Sequence, residues 1–190
     1  QFGFRKNYST AHALISLTES IKSNIDIKHR VAGIFIDLEK AFDTVNHKIL
    51  CEKLQYYGFR GKINELIQSF LTNRKQYVSI NGYDSPQLPI NCGVPQGSTL
   101  GPLLFILYIN DLQFCLKFAT ASHFADDTCL TYATSKMKTL ESNLNHDLKN
   151  LSEWLKANRL SLNVAKTKFL LFHSKFDSTE TEKLAIKIQG

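Results

Sequence analysis

Apolar positions along the chain alternate between two spacings. Ala11, Leu14, Ile15, Thr18, Ile21 and Ile25 recur at helical spacing behind Ser9 and Thr10, which can cap, and the pattern predicts a first helix over 10–28. The run VAGIFIDL at 31–38 is β-branched and aromatic and predicts a buried strand ending at an acidic residue. Ile49, Leu50, Leu54 and Tyr57 predict a helix over 46–57 that Gly58 stops, and Ile63, Leu66, Ile67, Phe70 and Leu71 predict another over 61–72. Between 76 and 91, YVSIN and QLPIN flank the turn-forming GYDSP, which predicts a hairpin with Pro89 on an edge strand. CGVPQGSTLGP then concentrates glycine and proline before a very apolar helix, the mark of a built loop. SHFADDTCLTYA predicts a hairpin with two acids at its tip, 136–156 a long helix with a leucine stripe, and KFLLFH at 168–173 a final short strand. Helices interleaved with antiparallel hairpins predict an α+β fold, helices backing a sheet.

Composition adds bounds to this pattern. With 190 residues, 43% hydrophobic and 21% charged, and only 9 Gly and 4 Pro, the expectation is one globular domain with a core. The longest apolar stretch, Pro102 to Ile109, is too short to cross a bilayer of ~30 Å, and residues 1–20 carry Arg5, Lys6, His12 and Glu19 with no secretory signal pattern. An intracellular protein with no membrane partner is expected, nucleus and cytoplasm being left open. Cys51, Cys92, Cys115 and Cys129 form no CxxC pair, so reduced, mostly buried thiols are expected in place of a zinc site or a disulfide framework. The net charge of +6 favours an acidic partner such as nucleic acid, although the basic residues are spread and a solvated surface accounts for many of them.

Three acids stand out chemically. Asp37 ends the run Val31, Ile34, Phe35, Ile36, and Asp126 and Asp127 interrupt Phe124, Ala125, Cys129 and Leu130. Adjacent acids in such surroundings repel each other, and divalent cations would neutralise them. Mg²⁺ takes oxygen ligands, and two such ions ~3.5–4 Å apart support phosphoryl transfer. Spacing alone leaves the alternative open that Asp126-Asp127 is a turn pair and Asp37 a surface acid.

Read in order, the chain resembles the reverse transcriptases of non-LTR retrotransposons and, more distantly, those of group II introns, over nearly all of its 190 residues. QFGFRKNYSTAHAL at 1–14 is similar to the family's fingers-to-palm segment and FIDLEKAFDTVNH at 35–47 to its first catalytic motif. GVPQGSTLGPLLFILYINDL at 93–112 is similar to the motif that binds template and nucleotide, FADD at 124–127 to the second catalytic motif, and LSLNVAKTK at 160–168 to the one after it. FADD alone is a weak signal, but five motifs in the family's order are specific.

The resemblance implies a right-hand polymerase palm with partial fingers. Residues 1–30 and about 45–91 would form the fingers and their connection, 31–44 and 92–173 the palm, and 174–190 the start of the path toward a thumb. It implies an RNA-directed DNA polymerase that uses an RNA template, a DNA primer and dNTPs, with two Mg²⁺ ions for which Mn²⁺ could substitute. Carried over by position, Asp37 and Asp126 would ligate the metals with Asp127 in support, and the carbonyl of Ile36 or Leu38 would add a contact. Phe42 would lie beneath the nucleotide sugar and exclude a 2′-hydroxyl, Gln96 and Gly97 would touch nucleotide and template base, Lys166 would stand near the leaving pyrophosphate, and Arg5 would hold template or nucleotide phosphates. Each also has a plainer reading: core packing for Phe42, a helix-entry turn for Gln96 and Gly97, and solvated cations for Lys166 and Arg5. No lysine follows Gly97 as a P-loop would require, and GSTLG is not the G-x-S-x-G of serine hydrolases.

Against the family pattern, Gln1 falls after the first fingers strands and Gly190 before the primer grip and thumb, so further N- and C-terminal parts of the same polyprotein are expected. Two readings of another class therefore accompany the polymerase: a catalytically inactive fragment or domesticated palm fold that binds nucleic acid or a protein, and a metal-dependent nuclease using the same acids.

Overall fold

The computed structural model describes residues 1–175 and 184–188. In chain order its elements are α1 (Thr10–Asp26), β1 (Arg30–Ile36), α2 (His47–Tyr56), α3 (Lys62–Leu71), β2 (Lys75–Gln76), β3 (Ser79–Ile80), β4 (Tyr83–Asp84), β5 (Leu88–Pro89), α4 (Leu100–Ile109), a 3-10 turn (Leu112–Cys115), β6 (Thr120–Phe124), β7 (Asp127–Thr134), α5 (Met137–Ala157) and β8 (Lys168–Phe172). The chain divides into two compact units, 1–39 with 109–190, and 40–108.

The first unit is built on a four-stranded sheet of order β6-β7-β1-β8, antiparallel throughout. Central β1 buries Val31, Ala32, Gly33, Ile34 and Ile36, the near-continuous burial of a strand covered on both faces. Gly33 leaves room for the rings of Phe35 and Phe172, which a Cβ there would meet at 3.3 and 3.1 Å. Helix α5 packs on β7 and the 3-10 turn, inserting Leu140, Leu144, Leu148, Leu151 and Leu155. That is the predicted α+β arrangement of helices on an antiparallel sheet.

Helix α1 packs on β1 and β6, but its predicted stripe is rotated. Leu14 and Ile15 are 62% and 55% exposed, and the face turned inward carries Ala13 and Leu17 together with Ile21 and Ile25 of the expected stripe, all half-buried. Helix packing selected one of two overlapping apolar stripes that periodicity alone could not rank. Ser9 caps α1 as expected, its Oγ accepting from the His12 amide while His12 Nδ1 accepts from Ser9 N–H.

A buried carboxylate organises the entry to the hairpin β6-β7. Asp147 on α5 is 1% exposed and accepts from the amides of Lys117 and Phe118, each at 2.9 Å, and of Ala119 at 2.7 Å. Gln113 adds a second brace, accepting from Ala121 N–H at 2.6 Å and donating to Ala119 O at 3.2 Å. Of the stretch 174–190, expected to lead away from the palm, residues 176–183 and 189–190 lie outside the described residues. Asn145 of α5 holds the part that is described, through Ala185 O and Lys187 N.

In the second unit α2 packs on α3. Asn46 caps α2 by accepting from Ile49 N–H, and Gly58, at φ 96°, ends it as predicted. In α3 the buried face is Asn64, Ile67 and Leu71, whereas the expected Ile63 and Leu66 are 56% and 66% exposed. The hairpin expected around GYDSP turns elsewhere. Ser79 and Ile80 pair with Asp84 and Tyr83 across Asn81-Gly82, both residues at positive φ (51° and 82°), as a two-residue hairpin loop requires. Lys75 and Gln76 pair separately with Pro89 and Leu88, leaving Pro89 on a two-stranded edge.

The thiols are less buried than expected: Cys92 is exposed and Cys51, Cys115 and Cys129 are half-buried, all four free. Burial pushes the Cys115 and Cys129 thiols up to about 11, with Asp147 and Asp111 adding to the shift at Cys115. Among the described residues, no helix is long and apolar enough to cross a membrane.

Candidate active site

The three acids predicted from sequence all fall in the first unit, and sheet register brings them together. Ile36 pairs with Thr128 at the end of the ladder, so Asp37 and Asp127 are each the neighbour of that last pair, close enough for Asp37 to raise the Asp127 carboxyl. Phe124 pairs with Asp127 in the same hairpin, which leaves Ala125 and Asp126 as its two-residue turn. The end of β1 and the tip of β6-β7 therefore meet at one edge of the sheet. Ala125 sits at φ 56°, a region costly for a side-chain-bearing residue and tolerated when the surroundings over-determine it.

Charge crowding at this edge shows in Asp127. Its carboxyl is raised above the ordinary aspartate range, first by partial burial, then by the negative charges of Asp126 and of Asp37. Leu17, Phe2, Phe35 and Phe124 supply the apolar surroundings, lining with Asp127 a cleft of about 260 Å³. The acids are less enclosed than their apolar neighbours in sequence suggested: Asp37 and Asp126 are half-buried and Asp127 is exposed. Apolar runs in a strand bury the sheet faces, whereas these residues stand at its end.

Motif 160–168 wraps the Asp37 corner. Leu38 bridges to Leu162, Glu39 N–H donates to Ser161 O at 2.9 Å, and Asn163 N–H donates to Asp37 O at 2.9 Å. Thr167 Oγ lies 3.3 Å from Asp37 N, which donates to it. Lys166 Nζ is 4.0 Å from Asp37 Oδ2 with its side chain 72% exposed. Lys166 was singled out from sequence, whereas Asn163 and Thr167, which fix the Asp37 backbone, were not. Arg5 is engaged within its own segment: it lies over the Tyr8 ring at 4.4 Å and donates to Gln1 O at 3.2 Å.

Among the described residues, no group of three or more His, Cys, Asp or Glu side chains could by itself hold a metal ion. An edge of partly solvated, mutually repelling carboxylates suits a hard cation that keeps waters and phosphate oxygens among its ligands, as Mg²⁺ does. By that chemistry the donor set fits, with Asp37, Asp126 and Asp127 as the residues that would hold it.

In the second unit the other sequence-predicted residues form a local arrangement of their own. The Phe42 ring stacks on buried Phe105, centroids 4.4 Å apart, and Phe42 O accepts from Val94 N–H at 2.8 Å. Gly93 N–H donates to Val45 O at 2.7 Å, and a Cβ on Gly93 would stand 2.8 Å from Asp43 O. Gln96 Nε2 donates to Asp43 Oδ1 at 2.9 Å, and His47 Nε2 lies 2.7 Å from Gly93 O. The GVPQG loop is thus docked on the AFDTVNH segment, with Asp43 and His47 as anchors that spacing did not reveal. Gly97 has open space around a Cβ, so its need for glycine is its φ of 82° rather than a close neighbour. Ser98 Oγ accepts from Gly101 N–H and donates to Pro95 O, closing the entry to α4. A groove of about 620 Å³ runs beside this loop, with Lys40, Arg74, Gln76 and Gln96 on its walls.

An antiparallel sheet backed by helices, with acids gathered where a central strand ends beside a hairpin tip, defines the polymerase palm class. The family model for reverse transcriptase (RNA-dependent DNA polymerase) matches residues 1–188, and the chain belongs to that family. More particularly, it is a reverse transcriptase domain homologous to the polymerases of Drosophila non-LTR retrotransposons. It is 33% identical over 181 residues to the probable RNA-directed DNA polymerase from transposon BS of Drosophila melanogaster, covering 88% of this chain and 19% of that protein. It is 29% identical over 185 residues to the RNA-directed DNA polymerase from mobile element jockey of the same species, covering 94% and 20%. The chain therefore spans about a fifth of the length of the curated relatives it matches. Among solved structures, telomerase from Candida albicans in complex with a fragment of telomeric RNA aligns with a TM-score of 0.67 at 14% identity, covering 92% of this chain and 31% of that one. Apo telomerase from Candida tropicalis truncated from its C-terminal domain aligns at 0.65 and 17%, covering 87% and 36%, and the likeness shows the shared fold.

Proposed function

We propose that the protein containing this chain is an RNA-directed DNA polymerase of a non-LTR retrotransposon, extending a DNA primer on an RNA template. The observation that carries it is the convergence of Asp37 and Asp127 beside the last pair of the β1-β7 ladder, with Asp126 in the adjoining turn. Two Mg²⁺ ions, or Mn²⁺ in their place, would supply activation of the primer 3′-hydroxyl and charge neutralisation at the α-phosphate and leaving pyrophosphate. Asp37 and Asp126 would hold them, with Asp127 in support.

The chain's own groups orient the rest. Asn163 and Thr167 fix the Asp37 backbone, so its carboxylate leaves the strand end in a set direction. Lys166, exposed and 4.0 Å from Asp37, is free to swing toward a phosphate and stabilise developing negative charge there. In the second unit Phe42, held flat by Phe105, is assigned to the nucleotide sugar, and Gln96 and Gly97 to nucleotide and template base. Arg5, already engaged with Tyr8 and Gln1, is assigned a share in template binding.

The test is primer extension by the full-length protein on an RNA template with Mg²⁺ and dNTPs. Extension abolished by Asp126→Asn, with RNA binding retained, supports the polymerase. Equal extension by wild type and variant removes the assignment. Duplex binding without extension would favour the interaction module, and strand cleavage without dNTPs a nuclease.

A further inference from the structure

The turn that carries Asp126 is braced by the first three residues of the chain. Gln1 Oε1 accepts from Ala125 N–H at 3.1 Å and from Gly3 N–H at 2.8 Å, while Gln1 Nε2 donates to Ala125 O at 3.4 Å. One amide side chain thus satisfies both backbone groups of Ala125, the residue in the left-handed region at φ 56°. Phe2 N–H donates to His123 O at 2.8 Å, on the outer side of edge strand β6. Gly3 completes the fit, since a Cβ there would lie 2.3 Å from Ala125 N and 3.0 Å from Ala125 Cα. The contact is backbone against backbone, so no side-chain movement could relieve it.

Left to itself, a two-residue turn with an alanine at positive φ would sample other conformers, and each would move Asp126 relative to Asp37 and Asp127. Groups that orient ligands without touching the metal commonly change metal affinity ~10–100-fold when they are mutated. We propose that Gln1 and Gly3 are positioning residues of the polymerase centre, holding the Ala125-Asp126 turn so that Asp126 can share a divalent cation with Asp37. The proposal rests on the polymerase reading of the acids, but it concerns geometry and can be tested without catalysis.

The experiment compares the full-length protein with its Gln1→Met and Gly3→Ala variants. Methionine keeps length and bulk but can neither donate nor accept as the amide does. Mn²⁺ binding is followed by electron paramagnetic resonance, and the Mg²⁺ dependence of primer extension is measured in parallel. Gln1→Met is expected to weaken Mn²⁺ binding ~10-fold and to raise the Mg²⁺ concentration for half-maximal extension to match, with KM for dNTP nearly unchanged and the melting temperature lowered by only a few degrees. Gly3→Ala is expected to weaken binding further. Wild-type Mn²⁺ affinity in both variants overturns the proposal. If the wild type extends primers and both variants match it in Mn²⁺ binding and Mg²⁺ dependence, positioning fails while the polymerase stands. If the wild type does not extend but Gln1→Met still weakens Mn²⁺ binding, the polymerase reading fails and positioning stands. Should both variants fail to fold, amide exchange in the wild type decides: slow exchange at Ala125 is expected, and exchange at the rate of an open loop overturns the proposal.

Discussion

Asp147 is the test of how the first unit holds the hairpin that carries Asp126 and Asp127. Replacing it with alanine removes both carboxylate oxygens, Oδ1 that accepts from the Lys117 amide and Oδ2 that accepts from the Phe118 and Ala119 amides. Three amides depend on it, those of Lys117, Phe118 and Ala119. Hydrogen bonds to a charged acceptor contribute ~1.5–3 kcal/mol each, which would give roughly 4–9 kcal/mol if all three were lost outright. Lys117 is exposed and Phe118 half-buried, so water can take over at those positions, whereas Ala119 is 3% exposed and its N–H would stay unsatisfied. A net loss of ~3–5 kcal/mol is expected, a large part of the ~5–15 kcal/mol that stabilises a typical domain. Hydrogen exchange by mass spectrometry on 113–124, alongside urea unfolding followed by fluorescence of Trp154, is the assay. Asp147→Ala should speed exchange in that stretch and lower the unfolding midpoint. A change in stability below ~0.5 kcal/mol with unchanged exchange would refute the reasoning.

Two further outcomes follow from the two units. At Asp127 the folded carboxyl is raised above its unfolded value, so the folded state holds the proton more tightly and stability falls as pH rises from the ordinary carboxylate range through the folded pKa. Asp127→Asn is therefore expected to raise the melting temperature of the metal-free protein at neutral pH, to do so less in acid, and to reduce the extra stabilisation that Mg²⁺ brings; a variant that melts lower at pH 7 and identically with and without Mg²⁺ contradicts this. In the docked loop, Gly93→Ala meets both a φ of 88° and Asp43 O at 2.8 Å, whereas Gly97→Ala meets only a φ of 82°. Thermal melts should therefore show Gly97→Ala costing ~1 kcal/mol and Gly93→Ala at least ~2 kcal/mol more, and equal costs would mean that close packing on Asp43 is immaterial.

Much of this protein was legible in its residue order. The periodicities placed β1, β7, α5 and β8, because each is long or strongly apolar enough to show its period. The left-handed requirement behind Gly58 and the acids of FADD sit where local chemistry dictates. What stayed hidden depended on partners distant in the chain. Leu14 and Ile15 formed as good an apolar stripe as the half-buried Ala13 and Leu17 that α1 turns toward the sheet, and packing on β1 and β6 chose between them. Asn81-Gly82 was a turn signal overshadowed by the neighbouring GYDSP.

The acids show the division most directly. Residue types and spacing established three carboxylates within apolar runs and a loop rich in glycine and proline. Their meeting came from antiparallel register between β1 and β7, a pairing of residues some ninety positions apart that no local pattern encodes. The same holds for Gln1, Asn163, Thr167 and Asp147, polar residues of ordinary appearance whose roles come from the particular backbone groups they satisfy. Sequence determined which side chains could do chemistry because that is a property of the residue. Tertiary structure decided which of them act together, because hydrogen bonds and crowded charges exist only where the chain has folded back on itself.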